Sequence, residues 1–344
     1  MTDRTIRELG ERLVELGMVA RDKADSVFDD SKAHVDEAAD VQDLLDALVE
    51  FGLAFSVHGD VGVSVEGYYR ELLQDEVGPL TGVAFSDVVL LREEDGHEML
   101  HFARDGKSFW WLVEHEYDDY TDQLAFFENV ADLEPGGEDP RGFHPYSPKE
   151  GESSETNFYV LATHGQALAL QEEFGLTFAL SDADSGPPRP VTVPFLDTWL
   201  PQRDRVLAEW RARFLPADFP FDFSLDSLDA LEPFVLDRYD SSAAVRTPED
   251  EFAAGAVRYV GETLLRNTPG KWEYREHGDS IYSRVPLIKG DVPIGFFAVS
   301  VPLHALASLA AKRVPGTLRR QADHLQEAAA RYARARGIVE ARRS

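Results

Sequence analysis

The chain contains no cysteine. Disulfides, thiolate metal sites and a cysteine nucleophile are therefore excluded. Basic residues are scarce, with 34 Lys and Arg against 63 Asp and Glu, a formal net charge of −29. Nucleic-acid backbones are bound by Lys and Arg, so a nucleic-acid partner is not expected. No apolar run approaches the ~18 residues of a membrane span. The opening MTDRTIRELGERLVELG reads as a charged amphipathic helix and not as a signal peptide, so the expected location is the cytoplasm. No phosphate-loop spacing occurs, and no cofactor is expected.

What is present supports a sizeable fold. The 344 residues are enough for two domains, and a hydrophobic content of 43% supplies their cores. The expected class is α+β: two domains, each an antiparallel sheet or meander packed by helices, with a long C-terminal helix. The division reads as an N-terminal α+β domain over 1–180, a linker with a bridging helix over 181–223, and a C-terminal α+β domain over 224–344. Two Pro-rich segments mark the linker, SDADSGPPRP and LPADFPFDF.

The best-specified local structure is Thr247 to Leu303. Thr247 is placed to cap a helix, with Pro248 at its first position and Asp250 as the reciprocal carboxylate. Phe252, Ala256, Tyr259, Val260 and Leu264 recur at helical spacing, and Pro269-Gly270 stops the run. KWEYRE, SIYSRVPL and PIGFFAVSV then read as a three-stranded antiparallel meander, with turns at His277-Gly278-Asp279 and Lys289-Gly290-Asp291. Gly255 and Gly261 inside the helix point to close packing of the helix on its sheet.

Upstream, helices are expected near 6–16 and 41–51, with short turns between. A hairpin around His58-Gly59-Asp60 and a short helix over 67–75 follow. Three strands, 83–91, 98–103 and 108–115, are joined by turns that each carry an Asp-Gly pair. A helix over 121–133 is expected to turn Leu124, Phe127 and Ala131 inward. The stretch 135–156 reads as a polar loop, then strand 157–162, helix 164–174 and strand 176–180. The bridging helix covers 202–214. Beyond it, helices are expected over 227–239, 302–312 and 317–343, the last with a stripe of Leu318, Ala322, Leu325, Ala329 and Tyr332.

The sharpest chemical motif is His97-Glu98-Met99-Leu100-His101, a formal H-E-x-x-H. On a helix its imidazoles would share a face and hold zinc, with Glu98 as general base. Its place in a hairpin pattern argues otherwise, since residues four apart on a strand lie ~13 Å apart. Glu114, His115 and Glu116 offer further ligands at no compelling spacing. The run from Glu114 to Tyr120 is dense in carboxylates; Glu114, Glu116, Asp118 and Asp119 are candidate contacts for a basic partner, or simply a solvated connection. Asp182 to Gly186 resembles the start of a calcium loop, but its Gly comes one residue early and Val193 replaces the closing Glu. From Lys312 onward nine basic and three acidic residues give +6, leaving −35 on the preceding chain. The terminal helix is thus expected to dock on the acidic body, or to be offered to a second copy.

The pattern Phe252, Gly255-Ala256, Tyr259, Gly261-Glu262, Leu264 and Gly270-Lys271-Trp272 resembles a small α+β domain of uncharacterised bacterial cytoplasmic proteins. Some relatives of that domain stand beside polymorphic toxins as immunity proteins. The resemblance covers 247–303 and carries over no functional residue. The expectation is a non-catalytic, acidic protein-binding module, immunity-like, that neutralises a basic partner. The alternatives are a zinc-dependent hydrolase using His97, Glu98 and His101, and a structural or regulatory dimer formed through the C-terminal helix.

Overall fold

The computed structural model describes residues 4–30, 34–62, 64–93, 96–148, 155–179, 194–247, 250–276 and 280–343. The chain forms two units, one ending at Pro188 and one beginning at Arg189. The expected linker segment 181–190, the calcium-like run and the turn 277–279 lie outside the described residues.

The first unit opens with α1 (Ile6–Glu15), α2 (Arg21–Asp30) and α3 (Val41–Glu50). The Thr5 hydroxyl accepts from the Glu8 N–H at 3.1 Å, and Glu8 accepts from the Thr5 N–H at 3.1 Å. Asp40 and Asp43 form the same reciprocal cap on α3. Such caps contribute ~1 kcal/mol each and set where the helices begin. Next come β1 (Ala54–His58), α4 (Val65–Glu71), a π-helical turn over Leu72–Val77 and α5 (Gly78–Thr81). After them run β2 (Phe85–Arg92), β3 (Glu98–Arg104), β4 (Lys107–Val113), α6 (Gln123–Asn129) with a 3-10 turn to Leu133, β5 (Gly142–Pro145), β6 (Thr156–Ala162) and α7 (His164–Phe174).

Strands β2-β3-β4 form the expected antiparallel meander. Asp105 and Gly106 both take positive φ, +48° and +78°, as a two-residue hairpin turn requires. The hairpin expected around His58 to Asp60 does not form. β1 pairs instead with β6, Phe55 opposite Tyr159, in the order β1-β6-β5. Burial decides this pairing. Phe158 and Val160 of β6 face a core shared with Leu9, Leu13, Leu44, Leu48 and Leu170 of the helices. Tyr159 and Leu161 face a second core with Leu100, Phe102, Trp111 and Phe126. A central strand buried on both faces offers far more apolar area than a two-stranded hairpin in water.

Three further expectations change. Residues 142–145, read as loop, form β5, because Phe143 enters the second core. Residues 176–179 make only a single bridge, Phe178 to Tyr146, in place of a strand. On α6 the inward face is Ala125 and Phe126, followed by Val130 and Leu133; Leu124 and Phe127 are 63% and 49% exposed.

The second unit holds α8 (Phe195–Trp199), α9 (Arg203–Phe214), α10 (Leu225–Arg238), α11 (Ser242–Val245), α12 (Glu251–Asn267), β7 (Gly270–Glu273), β8 (Leu287–Gly290), β9 (Val299–Ser300), α13 (Pro302–Lys312) and α14 (Arg319–Arg343). Its axis is α12, buried almost continuously from Phe252 to Leu264. The cap is Asp250, not Thr247: its carboxylate accepts from the N–H groups of Phe252 and Ala253 at 2.9 and 3.0 Å. A Cβ on Gly261 would stand 2.0 Å from the Trp272 ring on β7, so this glycine does allow close approach to the sheet. At Gly255 the neighbour is instead Trp210 of α9, at 2.1 Å.

The meander β7-β8-β9 is antiparallel, as expected, but its middle strand is shifted. Residues 280–285 are turns and bends with one isolated bridge, Ser283 to Arg275, and Lys289-Gly290 belongs to β8. Gly290 lies where a Cβ would meet that of Ala298 at 2.6 Å, a packing role in place of the expected turn. The bridging helix and the segment 215–223 are not a connector. Leu207, Trp210, Leu215 and Phe219 enter the core beside Tyr259 and Val260.

The start of α14 docks within this unit. Leu318, Ala322, Leu325 and Ala328 are buried in the same core, with Ala328 in place of the expected Ala329. Glu232 accepts from the N–H groups of Gly316 and Leu318 at 2.8 Å each, and Arg319 meets Asp229 at 2.6 Å. The apolar stripe that could have joined a second copy is thus largely used inside the unit.

Candidate functional site

Glu98 and His101 of the H-E-x-x-H pattern lie on β3, where side chains alternate between faces, and His97 immediately precedes the strand. His101 is fully buried. Its Nδ1–H donates to the Asp87 carbonyl at 2.9 Å, so Nε2 is left to accept from the Ser108 hydroxyl at 3.2 Å. Burial lowers its pKa, which keeps it neutral. Both ring nitrogens of His101 are engaged within the protein. Among the described residues no group of three or more His, Asp or Glu is placed to hold a metal ion.

Glu98 has a different role. Its carboxylate takes the Arg92 guanidinium on one oxygen and His115 Nδ1 on the other. His115 Nε2 lies 2.8 Å from the Tyr69 hydroxyl, and that oxygen accepts from the Asp122 N–H at 3.0 Å. A carboxylate fixes the imidazole tautomer, so Tyr69 donates to Nε2. This carboxylate–imidazole–hydroxyl chain has the outline of a catalytic triad. Its terminal group is a phenol with no exposed surface, and burial pushes its ionisation well above the usual value. A group that neither meets solvent nor ionises is no nucleophile. The chain is a fastening, and no local pattern in the sequence marks Tyr69 as part of it.

What it fastens is the loop from Glu114 to Asp122. The side chain of His115 is only 2% exposed and anchors the middle of the loop. At the far end Thr121 N–H donates to the Gly59 carbonyl at 2.8 Å. Asp122 accepts from the Glu114 N–H at 2.8 Å and caps α6 through the Ala125 N–H at 3.0 Å. With these residues turned inward, Glu114, Glu116, Asp118 and Asp119 are turned outward and exposed. Asp118 pairs with Arg92 at 2.7 Å. Among the described residues Glu114, Glu116 and Asp119 make no side-chain ion pair.

Aromatic surface lies among these carboxylates. Tyr117 is 63% exposed and packs edge-on against Tyr120, centroids 5.5 Å apart. The negative charge of Asp60, and then burial and Asp119, raise the Tyr120 pKa. Leu124 and Phe127 follow at helical i, i+3 spacing on the outer side of α6. Tyr117, Tyr120, Leu124 and Phe127 are four of the ten exposed large hydrophobic side chains among the described residues, and they fall within eleven positions. The carboxylates were legible in the sequence as candidates, but the apolar part was not, because Phe126 and Phe127 cannot be assigned to faces without the core.

The sequence matches no family model, and no curated protein or solved structure is significantly similar to it.

Proposed function

We propose that this is a non-catalytic binding protein that engages a basic protein through the loop 114–120 and the outer face of α6. The observation that carries the reading is the pinned loop itself, with exposed tyrosines and a hydrophobic helix face set among carboxylates. Clustered exposed apolar side chains rimmed by charge are the mark of a protein contact surface, in which aromatic residues supply most of the energy. Negative charge around them speeds encounter with a basic partner and selects it. A loop held by buried hydrogen bonds binds with little ordering cost.

A cytoplasmic setting belongs to this reading. On this reading the resemblance of the 247–303 pattern to a small α+β domain, some relatives of which stand beside toxins as immunity proteins, suggests the partner class, a toxin with a basic surface. The test is capture from a lysate of the native host at low and high salt, using the full chain and a Glu114→Lys, Glu116→Lys, Asp119→Lys variant. A specific partner should be retained at low salt, released by salt and lost with the charge reversals while the melting temperature holds. A partner held equally by both proteins, or no partner at any salt, would refute the proposal.

A further inference from the structure

The second unit carries a groove of about 880 Å³ between α9, the turn 215–223 and the end of α12. Such a volume is typical of small-molecule sites. Its charge is opposite to that of the chain. Arg203, Arg211 and Arg266 line it, against the single carboxylate of Asp204. Arg203 is already used, at 2.8 Å from Asp204 and 3.2 Å from Glu262. Arg211 and Arg266 form no ion pair among the described residues, although, after Arg203, the charge of Arg266 helps to hold the Asp204 carboxyl below its usual range.

Both are held in place by aromatic rings. Arg266 lies over Phe223 at 3.7 Å and Arg211 over Phe221 at 4.8 Å. Stacking on a ring face orients the guanidinium plane without neutralising its charge, and leaves its N–H edge free for a planar, bidentate acceptor. Phe223 itself has φ +59°, a left-handed conformation that a phenylalanine rarely adopts. Asn267 secures it through the Phe223 carbonyl at 3.0 Å. The remaining lining is leucine, alanine and proline. Glycine, serine, threonine and lysine are absent from it, so the backbone cradle typical of phosphate sites is missing.

We propose that this groove binds an amphipathic organic acid, with its carboxylate on Arg211 and Arg266 and its apolar body against Phe221 and Phe223. Guanidinium pairs with carboxylate in two parallel charge-assisted hydrogen bonds, and the apolar floor offers a surface for the hydrocarbon body. The proposal is independent of the acidic loop in the first unit and stands or falls separately.

The test is calorimetric titration of the full chain with decanoate, decanol and decyl phosphate, on the native protein and on Arg211→Gln and Arg266→Gln. Both arginines are exposed, so the variants should keep the native melting temperature. The expected result is one decanoate per chain, at least tenfold weaker binding of decanol and of decyl phosphate, and at least tenfold loss of decanoate affinity in each variant. Equal binding of decanol, tighter binding of decyl phosphate, unchanged affinity in the variants, or no decanoate binding would each overturn it.

Discussion

Replacing Gly261 by alanine sets two effects of known size against each other. In an exposed helix interior the change stabilises by up to about 1 kcal/mol, because alanine loses less backbone entropy. In α12 the new Cβ would stand 2.0 and 2.1 Å from two carbons of the Trp272 ring. Carbon atoms pack at about 3.5–4.0 Å, so the ring must retreat by roughly 1.5 Å. It is not free to do so: its Nε1–H donates to Glu262 at 2.9 Å, and Trp199 packs edge-on against it at 4.9 Å. Overpacking of this kind costs about 1–3 kcal/mol or more. The expected net change for Gly261→Ala is therefore a loss of about 1–2 kcal/mol. Gly255→Ala should lose more, since Trp210 meets the new atom at its own Cβ, 2.7 Å away, and cannot swing aside. Gly337→Ala in α14 is the control, with nothing within 4 Å, and should gain up to about 1 kcal/mol. Urea unfolding followed by tryptophan fluorescence reads all three. If Gly261→Ala shifts the midpoint upward as Gly337→Ala does, the packing argument for α12 is wrong.

Two further outcomes follow from the buried hydrogen bonds. Burial depresses the pKa of His101, His144 and His304, so the folded chain holds them neutral while the unfolded chain takes up protons. Their contribution is complete above about pH 6.5 and is lost as the pH falls from there toward the depressed folded values. His144→Gln should flatten the acid side of the stability profile, by no more than ~1.4 kcal/mol per pH unit, and an unaltered slope would count against the assignment. Tyr69→Phe removes the hydroxyl shared by His115 and Asp122, leaving two buried groups unpaired. It should cost about 1–3 kcal/mol and speed amide exchange at Asp122; protection equal to the native protein's would mean that the loop is held by something else.

The membrane reading rests on less. No helix of the described residues is long and apolar enough to cross a bilayer. The candidate site divides in the same way. Glu114, Glu116, Asp118 and Asp119 stood out as a dense acidic run, because composition alone reveals it. The anchor beneath them did not, because Tyr69 and His115 are 46 positions apart and neither has a local partner that announces the contact. The groove of the second unit was hidden for a related reason. LPADFPFDF has the composition of a linker, and only packing against Tyr259 turns its phenylalanines into core and groove floor.

Local physics was sufficient wherever a residue's partners lie within a turn of chain. The period of α3, α7 and α13 and the Asp105-Gly106 hairpin are interactions between near neighbours and were legible in their residue types, although the cap of α12, expected at Thr247, lies at Asp250. Strand partnership and facing are different in kind. β1 meets β6 across about a hundred residues, β5 joins only because Phe143 finds a core, and α6 turns Phe126 inward where Phe127 was equally apolar. Such choices compare the burial available in competing arrangements of the whole chain, and that comparison exists only once the other elements are in place.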